Sequence, residues 1–253
     1  MRYLNVGCGE HFRRDWTNVD FRSRDAAVQA HDITQGLSFA AASFDVVYHS
    51  HLLEHLRREH VATFLSECHR VLRPGGVMRV VVPDLERIAR AYLAALDAGD
   101  AANHEWTVLE MYDQAVRETP GGEMVAVLAR QPLPNEAFIL ERCGAEAAAI
   151  IGASRSGAGS HTMRRRLARA IDAIPLLRDL RRGRFRRSGE VHHWMYDRLS
   201  LGRLLQSAGF ADIRLETAAT SRIAGWPQFE LDTDGAGNVR KPDSLFMEGS
   251  KPS

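Results

Sequence analysis

At 253 residues, 45% hydrophobic and 26% charged, with a formal net charge of +1, the chain has the make-up of a globular protein long enough for one large core, and one domain carrying an insertion is expected. No apolar run is long enough to span a bilayer and no basic-then-apolar leader precedes the first strand pattern, so a cytoplasmic protein is expected. Cys8, Cys68 and Cys143 are odd in number and scattered, so neither a disulfide framework nor a zinc knuckle is indicated.

Residues 2–9 read as a first strand emptying into Gly7-Cys8-Gly9, two glycines that let the backbone bend sharply and let a ligand approach it. Residues 10–16 read as a loop or short turn. Thr17 to Phe21 is a second strand with Asp20 near its end, where a carboxylate can accept both hydroxyls of a ribose. A weak helical patch at 24–30 precedes the segment Ala30 to Ile33, which contains Asp32. Phe44 to His49 is a strand rich in β-branched and aromatic residues. Leu52, Leu53, Leu56, Val61, Phe64, Leu65 and Leu72 recur at three- and four-residue steps, which predicts a helix ending at the turn Arg73-Pro74-Gly75-Gly76. Val77 to Val82 is the next strand. Strands separated by helices make a parallel sheet, and ligands of such sheets bind beyond the strands' carboxyl ends.

Beyond Leu85 the pattern changes. Glu86 to Leu96, Glu105 to Arg117 and Glu136 to Ile151 read as helices. Pro120-Gly121-Gly122, Gln131 to Pro134 and Gly152 to Ser160 carry loop signals. Met163 to Leu180 is a basic amphipathic stretch interrupted by Pro175, and His161 to Arg187 holds ten arginines against two aspartates. A solvated arginine face, peripheral contact with anionic lipid and nucleic-acid binding are its three readings; no aromatic residues interleave the charge, so no nucleic-acid partner is expected. Strand and helix patterns return at His192 to Asp197, Leu199 to Gly209, Ala211 to Glu216 and Ser244 to Gly249.

A nicotinamide- or flavin-binding turn needs a third glycine, and that position is Phe12. Instead, Leu4 to Gly9, Trp16 to Asp20, Asp45 to Leu56 and Glu67 to Leu85 resemble the class I S-adenosylmethionine-dependent methyltransferases, in particular the small bacterial set found with surface-polysaccharide genes. The resemblance covers residues 2–85 and returns at 192–251. It implies an α/β, Rossmann-like core of seven mostly parallel strands, formed by residues 1–85 and 192–253. Residues 86–191 would form a helical lid inserted after the fifth strand for substrate recognition. It also implies S-adenosyl-L-methionine as cofactor, held by Asn5, Gly7, Cys8, Gly9, Asp20, Asp32, Ile33, His49 and Ser50. Asn5 stands where the family often has an acid. The expected acceptor is a small molecule or glycan, methylated on oxygen.

A hydroxyl acceptor must lose a proton, and His51 and His193 are the candidate bases, with His192 beside them. His51, Glu54 and His55 form H-x-x-E-H at the expected start of a helix. This cluster has a packing role, a base role and a metal-binding role as open readings. Asp84 and Tyr196 are further acceptor-site candidates. The same five letters occur in inverted zinc proteases, but here they follow a Rossmann-type strand, so no protease is expected. Two other classes stay open: a silent cofactor-binding partner subunit, and a metal-dependent hydrolase built on His51, Glu54 and His55.

Overall fold

Seven strands form one sheet in the computed structural model, which describes residues 1–156 and 175–253. They are β1 (Tyr3–Val6), β2 (Thr17–Asp20), β3 (Val28–Ala30), β4 (Phe44–Ser50), β5 (Leu72–Pro83), β6 (Ala211–Glu216) and β7 (Ser244–Ser250). Their order is β3-β2-β1-β4-β5-β7-β6; β1 to β5 run parallel, and β7 lies antiparallel between β5 and β6. This is the Rossmann-like arrangement expected. The order reverses direction between β1 and β4, and it is at such a switch point, beyond the strands' carboxyl ends, that ligands of these sheets bind.

Alternation along the strands sends side chains to two cores. Leu4, Val6, Val47, Met78, Val80, Val82, Leu245 and Met247 pack with Phe64, Leu65 and Cys68 of α1 (Arg58–Val71). On the other face, Val46, Tyr48, Val81 and Phe246 meet Trp16, Ile223, Trp226 and Leu231. That second face is covered by irregular chain between β6 and β7. It is fastened by Arg79, which is fully buried and pairs with Asp232 at 2.7 Å and Glu248 at 2.8 Å. The same guanidinium donates to the carbonyls of Thr217 and Thr220 and lies over the Trp226 ring, while Tyr48 donates its hydroxyl to Asp232 at 2.7 Å.

Residues 1–86 with 193–253 pack as one unit and residues 87–192 as another. The second holds most of α2 (Leu85–Ala98), then α3 (Ala101–Val116), α4 (Gly122–Leu128), α5 (Glu136–Arg155) and α6 (Pro175–Arg186). Trp106, Val127, Leu128, Ile139, Ala147 and Ile151 form its core. Within it, buried Glu110 accepts from Trp106 Nε1 at 2.6 Å and takes both ends of Arg142. The last helix, α7 (Arg198–Ser207), belongs to the first unit and is capped by Asp197 and Ser200. No described helix is long and apolar enough to cross a membrane.

Several local expectations are corrected. Residues 24–30 form no helix: Asp25 turns the chain by accepting from Ala27 N, and Val28 then pairs with Asn18 as the third strand. The helix after β4 starts at Arg58 and not at His51, because His51 takes φ +49° and only a single 3-10 turn, Leu53–His55, follows. Arg73 to Gly76 lies within β5 as an irregularity in its pairing with β4. Gly121 and Gly122 start α4 where a loop was expected, and α5 runs through Gly152 to Arg155. The expected segment Met163 to Ile174 lies outside the described residues.

Candidate functional site

Three strand ends meet at the switch point: Val6 leads into Gly7-Cys8-Gly9, Asp20 ends β2 and Ser50 ends β4. Gly7 and Gly9 take φ +67° and +55°, in the left-handed region that glycine enters without strain. They differ in surroundings. A Cβ on Gly7 would meet Leu52 Cδ1 at 2.7 Å, whereas one on Gly9 would meet nothing within 4 Å. Gly7 therefore packs the turn onto its neighbour, and Gly9 borders open space.

Asp20 closes the turn from the next strand. Its Oδ2 accepts from Gly9 N at 2.9 Å and its Oδ1 from Arg22 N at 3.2 Å. Asn5 is buried below, with Nδ2 reaching the His11 carbonyl at 3.4 Å. Cys8 is buried too, and burial, followed by the Asp20 charge, pushes its thiol up to about 12, so it is an inert filler. Asp32 is exposed and caps the 3-10 turn Ile33–Gln35, accepting from Thr34 N and Oγ1, which holds its carboxyl below the ordinary range.

Gly9→Ala and Gly7→Ala separate these roles. Each carries about 1 kcal/mol for a left-handed alanine. Gly7→Ala adds the Leu52 clash and so shows the larger fall in melting temperature. Gly9→Ala fills open space, adds no clash and shows the smaller fall.

His49 lies on β4 with its ring in the core below α1, fully buried and edge-on to Phe64 at 5.3 Å. Both ring nitrogens lack a hydrogen-bond partner, and burial drives the ring's pKa down to about 3, which keeps it neutral.

The H-x-x-E-H cluster also differs from the helix-face picture. With His51 left-handed, its ring reaches across the sheet: Nε2 lies 2.8 Å from Ser244 Oγ on β7, and Nδ1 lies 3.3 Å from Glu54 Oε1. Both nitrogens thus face protein groups. Ser244 carries no local signal; it is 193 residues away in sequence and the antiparallel insertion of β7 brings it there. Glu54 is fully buried, and neither carboxyl oxygen has an aligned hydrogen-bond donor. Burial raises it from 4.5 to about 7, with His55 and Lys241 pulling the other way. The Glu54 carbonyl accepts from His193 N at 2.7 Å, which places the His193 backbone in the cluster, while its side chain is exposed. Tyr196 is buried; burial and then Glu54 push its hydroxyl up to about 12. Asp84 accepts from Glu86 N at the start of α2.

Because the folded state holds Glu54 protonated to higher pH than the unfolded chain, its contribution is intact below pH 4.5 and is lost as pH rises through about 7. The loss amounts to about 3 kcal/mol at the alkaline end. Glu54→Gln is expected to flatten this dependence, read as a smaller difference in melting temperature between pH 5 and pH 8 than the parent shows.

Residues 10–80, which begin just after the glycine turn and include Asp20, Asp32 and the cluster, match the family described as "Methyltransferase domain". The match covers less than half of the chain. A relative from Mycolicibacterium smegmatis named "Probable S-adenosylmethionine-dependent methyltransferase" is 39% identical over 99 residues, 32% of this chain. The match spans only 37% of that relative's length. Among solved structures, an S-adenosylmethionine-dependent methyltransferase from Archaeoglobus fulgidus is 13% identical, covering 99% of this chain and 86% of that one at a TM-score of 0.43. A Burkholderia thailandensis 1,6-didemethyltoxoflavin-N1-methyltransferase, solved with its substrate and S-adenosylhomocysteine, is 13% identical, covering 99% and 71% at a TM-score of 0.40. The match ends within β5, so β6 and β7 lie outside the matched residues.

Proposed function

We infer that the chain is an S-adenosylmethionine-dependent methyltransferase that O-methylates a sugar or surface-polysaccharide precursor. The observation that carries the cofactor half is the open space at Gly9, bordered by the carboxylate of Asp20, which lies within the segment that matches a methyltransferase domain. Those residues fit a nucleoside with an amino-acid tail. The Gly7 to Gly9 backbone would lie along the methionine part, Asp20 would take the ribose hydroxyls, and Asp32 with Ile33 would face the adenine. Ser50 would border the methionine side. When bound, the cofactor supplies a sulfonium methyl group for in-line displacement. The chain's own work is to orient donor and acceptor and to keep water out.

The acceptor half rests on the resemblance of residues 2–85 to the polysaccharide-associated set. Recognition of the acceptor is assigned to residues 86–191. His51 and His193 are the groups proposed to take the hydroxyl proton; His51 would first have to release Ser244 or Glu54 from one ring nitrogen. The site location is cytoplasmic in this reading.

Calorimetric titration with S-adenosylhomocysteine, as purified and after chelation, tests the cofactor half. Binding in both conditions is expected; absence of binding in both removes the reading. Transfer of labelled methyl to nucleotide sugars, compared with proteins and small amines, then tests the acceptor. Label on an amine with none on any sugar would overturn the O-methylation half alone.

A further inference from the structure

We propose that α6 is a docking surface for a membrane of anionic phospholipids. The helix is inside-out in its hydrophobic pattern. Phe185 is its buried residue, and Leu176, nine positions away at about 100° per residue, points to the opposite side, with Leu180 about 40° from it. Leu176 is 70% exposed, Leu180 61% and Leu177 40%. A helix that merely covered a core would turn these leucines inward.

The arginines complete the pattern. Residues 175–187 carry six arginines against the single acid Asp179. Arg182 is held by Glu118 at 2.7 Å and Arg178 lies 3.5 Å from Asp179, so these two serve ion pairs within the protein. Arg184, Arg186 and Arg187 are exposed at the end of the same helix. Leucines facing outward with arginines beside them suit an interface where acyl chains take the apolar groups and phosphates take the charges. A nucleic acid would use the arginines and leave three leucines in water, with no aromatic side chain on the helix face to stack a base. A second copy of the chain would bury the leucines but bring two arginine sets together.

The test is flotation of the full chain with vesicles of phosphatidylcholine alone and of phosphatidylcholine with phosphatidylglycerol, two to one. Partition into the anionic vesicles, falling in high salt and weak on the neutral ones, is expected of the parent chain. Reversing Arg184→Glu, Arg186→Glu and Arg187→Glu together should lower it on the order of 100-fold. Leu176→Ser, Leu177→Ser and Leu180→Ser together should lower it at least about 10-fold, without shifting the melting temperature because the groups are exposed. Equal partition into both vesicle types, or none into either, would overturn the proposal. So would leucine-dependent self-association seen by light scattering, or binding of duplex DNA, in a chain that does not float.

Discussion

Asp20→Ala is expected to weaken S-adenosylhomocysteine binding about 100-fold while leaving the fold intact. The carboxylate is half-buried at the end of β2, eleven residues after Gly9 in sequence, and already bonded to that glycine's N–H at 2.9 Å. Two charged hydrogen bonds to ribose hydroxyls are worth about 3 kcal/mol together. Asp20→Asn separates the two jobs of the side chain. Its amide oxygen can still accept from Gly9, so the turn holds, but the charge is gone and an intermediate affinity is expected. Calorimetry on the three proteins decides the matter: equal affinity for parent and Asp20→Ala would remove Asp20 from the cofactor site.

Arg79→Ala is expected to be the most destabilising single change in the first unit. It leaves Asp232 and Glu248 buried without their shared counter-charge, and it strands the Tyr48 hydroxyl network and the carbonyls of Thr217 and Thr220. Removing one partner of a buried ion pair costs about 3–5 kcal/mol. For a domain of this size that is a fall in melting temperature of roughly 10 °C. The combined change Arg79→Met, Asp232→Asn and Glu248→Gln should recover most of the loss, since the penalty comes from unpaired charge and not from the absent pair. Scanning calorimetry of the single and triple variants is the measurement; a triple variant as unstable as Arg79→Ala would show that packing against Trp226 and Phe246 dominates instead.

The strand–turn–strand frame was legible because its signals are local. β-Branched runs, a glycine turn and an acid at a strand end state their geometry within about ten residues, and β1, β2, β4, β5, β6 and β7 stand close to where the pattern puts them. Val28–Ala30 was missed because a three-residue strand has too few positions to show alternation. The start of α1 was missed because Leu52, Leu53 and Leu56 have helical spacing although His51 adopts a left-handed backbone that breaks the helix there. In the insertion, α5 kinks at Gly144 and then continues past Gly152, so one glycine breaks a helix and the other does not.

The sequence by itself determined the order of strands and helices, the glycine turn, the acid that faces it and the arginine excess, since each depends on neighbours in the chain. Tertiary structure alone decided which polar groups are buried and what they meet. His49 and Ser50 are adjacent, yet strand alternation buries one ring under α1 and leaves the other side chain at the strand end. Ser244 reaches His51, and Asp232 reaches Arg79, only because residues far apart in sequence are brought together by the insertion of β7 beside β5. The outward leucines of α6 belong to the same class: periodicity defines a stripe, and packing decides which way it faces.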